Sequence, residues 1–149
     1  MKNNRFAKSL SFILSAVLIA AIALCVVGCN GNSEDLGNQG TTITIENGSV
    51  YGEGENSFPF TVVDGEGNEV ACTVNTDKTV VGEALLELNL IAGDNDIYGL
   101  YVKVVNGITA DFDVDGTYWA FYINGEYAMS GVDTTEIVEG ATYMFKVEK

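Results

Sequence analysis

The sequence predicts a small α+β domain, a mixed sheet with one helix packed on one face. Two observations carry this. Most of the chain after residue 40 falls into short apolar runs of period two, separated by Gly, Asp and Asn clusters, as strands and turns require. Among them lies a single run of helical period. In Val80-Val-Gly-Glu-Ala-Leu-Leu-Glu-Leu, positions Val81, Ala84, Leu85 and Leu88 fall at i, i+3, i+4 and i+7, so one apolar face meets the sheet. Hairpin, helix and further strands in that order describe strands segregated from a covering helix.

Taken in order, Thr41-Thr-Ile-Thr-Ile-Glu alternates and predicts a half-buried strand. Phe58 to Val63 and Glu69 to Val74 flank Asp64-Gly-Glu-Gly-Asn68 and predict a hairpin. Pro59 belongs at a strand start or an edge, because it cannot donate to a ladder. Thr79 is the expected N-cap of the helix, and Gly82 weakens that helix by about 1 kcal/mol relative to alanine. Asn89 to Asn95 reads as the exit loop, through Gly93 and Asp94. Tyr98 to Val105 is a strand. Tyr118 to Ile123 and Glu126 to Met129 make a hairpin closed by Asn124-Gly125, the strongest short-range hairpin signal. Thr142 to Val147 supplies the last strand.

Residues 1–28 read as a lipoprotein signal peptide. Lys2, Arg5 and Lys8 precede an apolar stretch from Leu10 to Val27, followed by Val26-Val-Gly-Cys29. The small residue before Cys29 suits processing there, and its thiol is the expected lipidation site. Bulky Leu24 makes Cys25 the poorer site. A plain N-terminal membrane anchor is the competing reading, since 18 apolar residues is near the lower limit for a span. Residues 29–40 then form the lipidated cysteine and a polar, glycine-rich tether, which as a flexible coil spans about 20 Å. Residues 41–149 are the folded domain. The expected location is extracytoplasmic, on the cell membrane.

Beyond the signal the chain keeps four lysines against 21 acids, a formal charge of −17. Such a balance excludes nucleic acid, whose phosphates need Lys and Arg. It also excludes electrostatic attraction to anionic lipid, so attachment falls to the acyl chains. The absence of histidine excludes His-based triads and His-ligated zinc or haem. Cys72 is left without a partner in an alternating run and reads as a small buried apolar residue. No nucleophile elbow or Ser-x-x-Lys motif is present, and the domain is expected not to be an enzyme.

Two features are candidates for binding. Asp111, Asp113 and Asp115 alternate ahead of Gly116, as in half of a calcium loop; converging carboxylates of this kind hold a hard cation. The twelfth position, where an EF-hand needs Glu, is Tyr122, so an EF-hand is excluded. The alternative is a solvated acidic turn. In the strand that follows, Trp119, Phe121 and Ile123 share one face, and Tyr118, Ala120 and Tyr122 the other. The tryptophan face is the expected core. Tyr122 lies opposite Tyr127 in the Asn-Gly register, and this tyrosine surface either contacts a ligand or covers the second side of the sheet.

Tyr98-Gly-Leu-Tyr-Val-Lys-Val-Val-Asn-Gly-Ile, Ala110-Asp-Phe-Asp-Val-Asp-Gly-Thr-Tyr-Trp-Ala-Phe-Tyr-Ile-Asn-Gly-Glu-Tyr-Ala and Gly131-Val-Asp together resemble the C-terminal domain family of the vitamin B12 carriers transcobalamin and intrinsic factor. Thr79-Val-Val-Gly-Glu-Ala-Leu-Leu extends the resemblance upstream. The resemblance implies a β-grasp-like fold and matches Tyr118, Trp119 and Phe121 to the family pattern. In the animal carriers the domain closes over cobalamin held against a separate helical barrel, which this sequence lacks. The expected function is therefore a lipid-anchored, non-catalytic binding module. Its ligand is a small molecule, corrinoid-like in one version, or a transporter or other surface protein, bound through Tyr118, Trp119, Phe121, Tyr122 and Tyr127. The alternative is a structural or adhesion module holding a calcium-type cation at Asp111, Asp113 and Asp115.

Overall fold

The computed structural model describes residues 40–149. The signal peptide, Cys29 and the tether before Gly40 lie outside the described residues. The elements are β1 (Val50–Tyr51), β2 (Asn56–Val63), β3 (Glu69–Thr76), α1 (Val81–Glu87), β4 (Ile91–Asp96), β5 (Gly99–Val105), β6 (Ile108–Thr109), α2 (Phe112–Asp115), β7 (Tyr118–Ile123), β8 (Glu126–Tyr127), a 3-10 turn (Val132–Thr134) and β9 (Tyr143–Glu148). The result is sheet-rich, with few helical residues, and the strands form two sheets rather than the single one expected. The larger has six strands in the order β1-β3-β2-β9-β7-β8; the smaller is β4-β5-β6.

The large sheet is mixed. β2 runs antiparallel to β3 and parallel to β9, while β7 runs antiparallel to both β9 and β8. Its two edge strands, β1 and β8, are each two residues long. Pro59 sits one residue before β9 begins to pair at Phe60, where β2 is still an edge on that side. That is where a residue without an N–H costs least.

Alternation in β2, β3, β7 and β9 sends Phe58, Phe60, Val62, Cys72, Val74, Trp119, Phe121, Tyr143 and Phe145 into one core, which Val81, Ala84 and Leu85 of α1 also enter. Aromatic rings run through it from strand to strand. Phe58 meets Tyr143 edge-on at 5.2 Å, Phe60 meets Phe145 at 6.2 Å, and Phe145 meets Phe121 at 5.1 Å. Such pairs add about 0.5–1.5 kcal/mol each beyond the area they bury. The buried Tyr143 hydroxyl is satisfied, accepting from Val138 N at 2.9 Å and donating to Glu136 O at 3.2 Å.

Three local expectations change. Residues 41–46 form no ladder; they are an extended strap, held by Ile43 N to Asn89 O at 2.9 Å and by Gly107 N to Thr42 Oγ1 at 2.6 Å. Ile45 is still buried, so the period-two pattern reported burial and not pairing. Residues 91–96, expected as a loop, are β4. Its Gly, Asp and Asn content reads as a turn, yet full pairing with β5 makes it a strand, with a bulge between Ala92 and Gly93. The cap of α1 is Val80 without a side-chain bond, and the first N–H, Val81 N, donates to Thr135 O at 2.9 Å.

Gly82 acquires a packing reason. A Cβ there would stand 2.8 Å from Val132 O and 2.9 Å from Asp133 Cα and N, so α1 rests directly on the backbone of the 3-10 turn. Gly82→Ala is expected to lower stability by about 1–3 kcal/mol in urea denaturation, because backbone overlap outweighs the gain of about 1 kcal/mol in helix propensity. A more stable variant would contradict this seating.

Cys72 is buried on β3, and burial pushes its thiol up to about 11. The neutral thiol is thus favoured in the fold. Stability from this group is full below the unfolded value and is lost as pH rises from about 9.0 to about 11. At pH 8 the thiolate fraction falls by about 10²-fold relative to an ordinary cysteine. Cys72 is expected to react at least that much more slowly with a disulfide reagent in the native chain than in urea, as followed by mass spectrometry of the Cys72 peptide.

Candidate functional site

β7 pairs with β9 along its whole length, placing Trp119 opposite Val147 and Phe121 opposite Phe145. Trp119 and Phe121 turn into the core, as expected, with exposures of 6% and 8%. Ala120 on the other face is buried as well. On that face Tyr122 faces Tyr127 in the ladder, and their rings meet edge-on at 5.6 Å. The Tyr122 hydroxyl donates to Glu148 Oε1 at 3.0 Å, and that bond to a carboxylate raises the phenol above its ordinary value. Glu148 in turn is held below the usual carboxylate range, first by Lys146 at 2.8 Å and then by Tyr122. Tyr118 and Tyr122 are half-buried and Tyr127 is exposed, so the outward surface is a partly covered patch tied down at Glu148.

Larger clefts lie beside β4 and beside Gly52 and Leu88, but one of about 150 Å³ is the cleft that Trp119 and Phe121 line. Leu100, Tyr101, Tyr127 and Ser130 line it too, and Val102, Ala128, Gly131, Val132 and Phe145 complete its wall. It brings β5 of the small sheet against β7 of the large one. Trp119 and Phe121 therefore come together in it; Tyr127 borders it while its ring packs on Tyr122 on the outward face, and Tyr118 and Tyr122 do not line it. Of the lining residues the sequence reading proposed Trp119, Phe121 and Tyr127 for binding and missed the others, Leu100, Tyr101 and Ser130 among them. Tyr98–Val105 was legible as a strand, but its approach to β7 joins two separate sheets and leaves no periodic trace.

Trp119 lines the cleft, and its Nε1, closed to the surface, has no hydrogen-bond partner among the described residues. The wall at Leu100 is fixed by Asp133, whose Oδ2 accepts from Leu100 N at 3.2 Å. A Cβ at Gly99 would fall 2.5 Å from the same carboxylate oxygen, which is why glycine occupies that position.

The aspartate stretch folds into α2, one turn long. Asp111 is its N-cap and accepts from Asp113 N at 3.1 Å, and Gly116 closes the turn at φ 72°. Asp115 accepts from Thr117 N at 2.9 Å and from the Thr117 hydroxyl; these bonds hold its carboxyl below the usual range. The other Asp111 oxygen meets Lys103 Nζ at 3.0 Å, and the same ammonium meets Asp94 Oδ2 at 3.0 Å. Lys103 also lies 5.5 Å from the Tyr101 ring centroid. Its pKa is raised, by Asp111 first and then Asp94. Asp113 is exposed. Asp111 and Asp115 are thus engaged with backbone, Thr117 and Lys103. Among the described residues no group of three acidic or cysteine side chains is arranged to hold a metal ion.

A family model described as a domain of unknown function (DUF4430) matches residues 77–149, from the strand end before α1 to the C-terminus of β9. No curated protein matches the sequence. Among solved structures the chain is similar to a candidate metal-binding protein from Ruminococcus gnavus ATCC 29149. Identity is 28% and the TM-score 0.60, over 64% of this chain and 98% of that one. It is also similar to haptocorrin in complex with Cbi, at 21% identity and a TM-score of 0.47, over 63% of this chain and 25% of that one. The chain thus spans about a quarter of the length of haptocorrin.

Proposed function

We propose that the protein is a non-catalytic binding module, held outside the cell membrane by lipid on Cys29, whose cleft between β5 and β7 receives a small apolar or aromatic group. The observation that carries this reading is the convergence of Trp119, Phe121 and Tyr101 on one concavity that Tyr127 borders, with the buried Trp119 Nε1 left unpaired among the described residues. Small-ligand pockets are concave and bring aromatic side chains together with a few polar groups, and the exposed wall of this cleft is at least as polar as it is apolar. Size then narrows the ligand. At about 150 Å³ the cleft is below the roughly 300–1,000 Å³ of drug-sized sites. It accepts one ring or one side group of a larger molecule, so a corrinoid would insert a substituent and leave its macrocycle outside. We read the hairpin, crossing helix and later strands as β-grasp-like, which agrees with a domain that presents an edge cleft.

The test is a titration of the full chain in neutral-detergent micelles with cobalamin, read by Trp119, the sole tryptophan. A saturable change is expected, weakened at least ten-fold by Ser130→Phe, which crowds the rim. A response that Ser130→Phe leaves intact would place binding outside the cleft, and a flat response to high micromolar ligand removes the corrinoid.

A second reading, a cation-holding module, draws on the Ruminococcus gnavus neighbour. Against it, the Lys103 ammonium already sits between Asp94 and Asp111. A rise in melting temperature with millimolar calcium, abolished by Asp113→Ala, would favour this second reading.

A further inference from the structure

The unpaired indole narrows the chemistry of the ligand. A buried donor without a partner costs about 1–3 kcal/mol, and nearly all such groups in folded chains are satisfied. Trp119 is 6% exposed, its Nε1 has no partner among the described residues, and the side chain lines the cleft. A group entering there recovers that free energy only if it brings a hydrogen-bond acceptor, since an indole N–H donates and never accepts. Charge decides which acceptor. Lys103, the cation over the Tyr101 ring, is taken by Asp94 and Asp111. A carboxylate, Asp133, is fixed against the cleft residue Leu100 by the bond from its N–H. Glu126 precedes Tyr127 in β8, and the field of the whole chain is negative. An anionic oxygen is therefore repelled where a neutral one is not.

On the reading that this cleft is the binding site, we propose that it selects an uncharged oxygen acceptor, of the amide-carbonyl type, carried on one compact apolar group. The apolar part packs on Phe121 and Leu100 while the carbonyl accepts from Trp119 Nε1. A cavity of about 150 Å³ is the size that holds one benzene ring, so ring plus carbonyl fills it. Because Nε1 is closed to the surface, the rim must give way on entry. That rim is held by the two ladder pairs of β8, by Ala128 N donating to Phe121 O at 2.9 Å and by the Ser130–Thr135 hydroxyl pair at 3.0 Å, and these are the bonds that entry must loosen.

Three fragments sharing one ring separate the possibilities: benzamide, with a neutral carbonyl; benzoate, with an anionic one; and benzylammonium, with no acceptor. Each is titrated into the 15N-labelled full chain in neutral-detergent micelles. The single indole N–H resonance and the amides of Leu100, Tyr101, Phe121, Tyr127 and Ser130 are followed. Benzamide is expected to move the indole proton downfield together with those amides, with at least ten-fold higher affinity than benzoate. Benzylammonium is expected to leave the indole proton without a downfield shift. If benzamide moves the cleft amides but not the indole proton, or if benzoate binds as tightly, the acceptor proposal is overturned while the cleft remains a binding site. If no fragment moves the cleft amides, both the acceptor proposal and the cleft reading fail.

Discussion

Gly93→Ala is expected to cost roughly 3 kcal/mol or more. A Cβ at residue 93 would lie 2.0 Å from the Tyr101 carbonyl oxygen and 2.8 Å from Tyr101 C and Val102 Cα. All three are backbone atoms of the neighbouring strand, so no rotamer change relieves the overlap. The position is also the bulge where the β4–β5 register shifts. Admitting the methyl means parting β4 from β5, which unpacks Ile91 and Ala92 and draws Asp94 away from Lys103. A fall in urea midpoint, with faster hydrogen exchange confined first to β4 and β5, is the expected pattern. A midpoint within about 0.5 kcal/mol of the parent, the range of an ordinary surface change, would show that the two strands do not approach so closely.

Phe145→Ala is expected to remove about 3–5 kcal/mol, the usual range for emptying a buried phenylalanine site. Phe145 is 2% exposed at the centre of β9 and touches the rings of both Phe60 and Phe121. The loss compares with a total of about 5–15 kcal/mol for a domain of ordinary stability, and at about 4–8 °C per kcal/mol it lowers the melting temperature by more than about 12 °C. Calorimetry checks the size. The same residue closes the cleft wall, so the variant, where it folds, is expected to bind larger rings than the parent. Parent-like stability would mean that the site collapses onto smaller neighbours.

The strands of the large sheet other than β1 were legible because their own periodicity records which face is buried; the two residues of β1 carry no such pattern. Phe58, Phe60 and Val62 alternate, and Asn124-Gly125 sets the Tyr122–Tyr127 register without help from the rest of the chain. β4 was not legible. Ile91 and Ala92 are buried, but the Gly-Asp-Asn-Asp that follows owes its extended form to β5, a partner reached across a turn. Residues 41–46 failed in the opposite sense, showing a strand's pattern without a strand's partner. The role of Gly82 was misread because propensity describes an isolated helix, whereas its cost here is set by the 3-10 turn fifty residues later.

The candidate site divides along the same line. The burial of Trp119 and Phe121 could be read from alternation, and the engagement of Asp115 with Thr117 from turn chemistry. Neither the cleft nor the Lys103 bridge could be read so. Both depend on β5 standing beside elements of another part of the chain, and that approach is a property of the assembled layers.

The shortness of the two outer strands of the large sheet has a consequence at high density. Molecules confined to a surface collide far more often, and with fewer orientations, than the same molecules in bulk. A long exposed backbone margin would then serve as a template for lateral zipping of neighbours. Val50–Tyr51 and Glu126–Tyr127 each offer only two residues, too few to start such a row. At these two margins a crowded neighbour finds no long outer strand to extend.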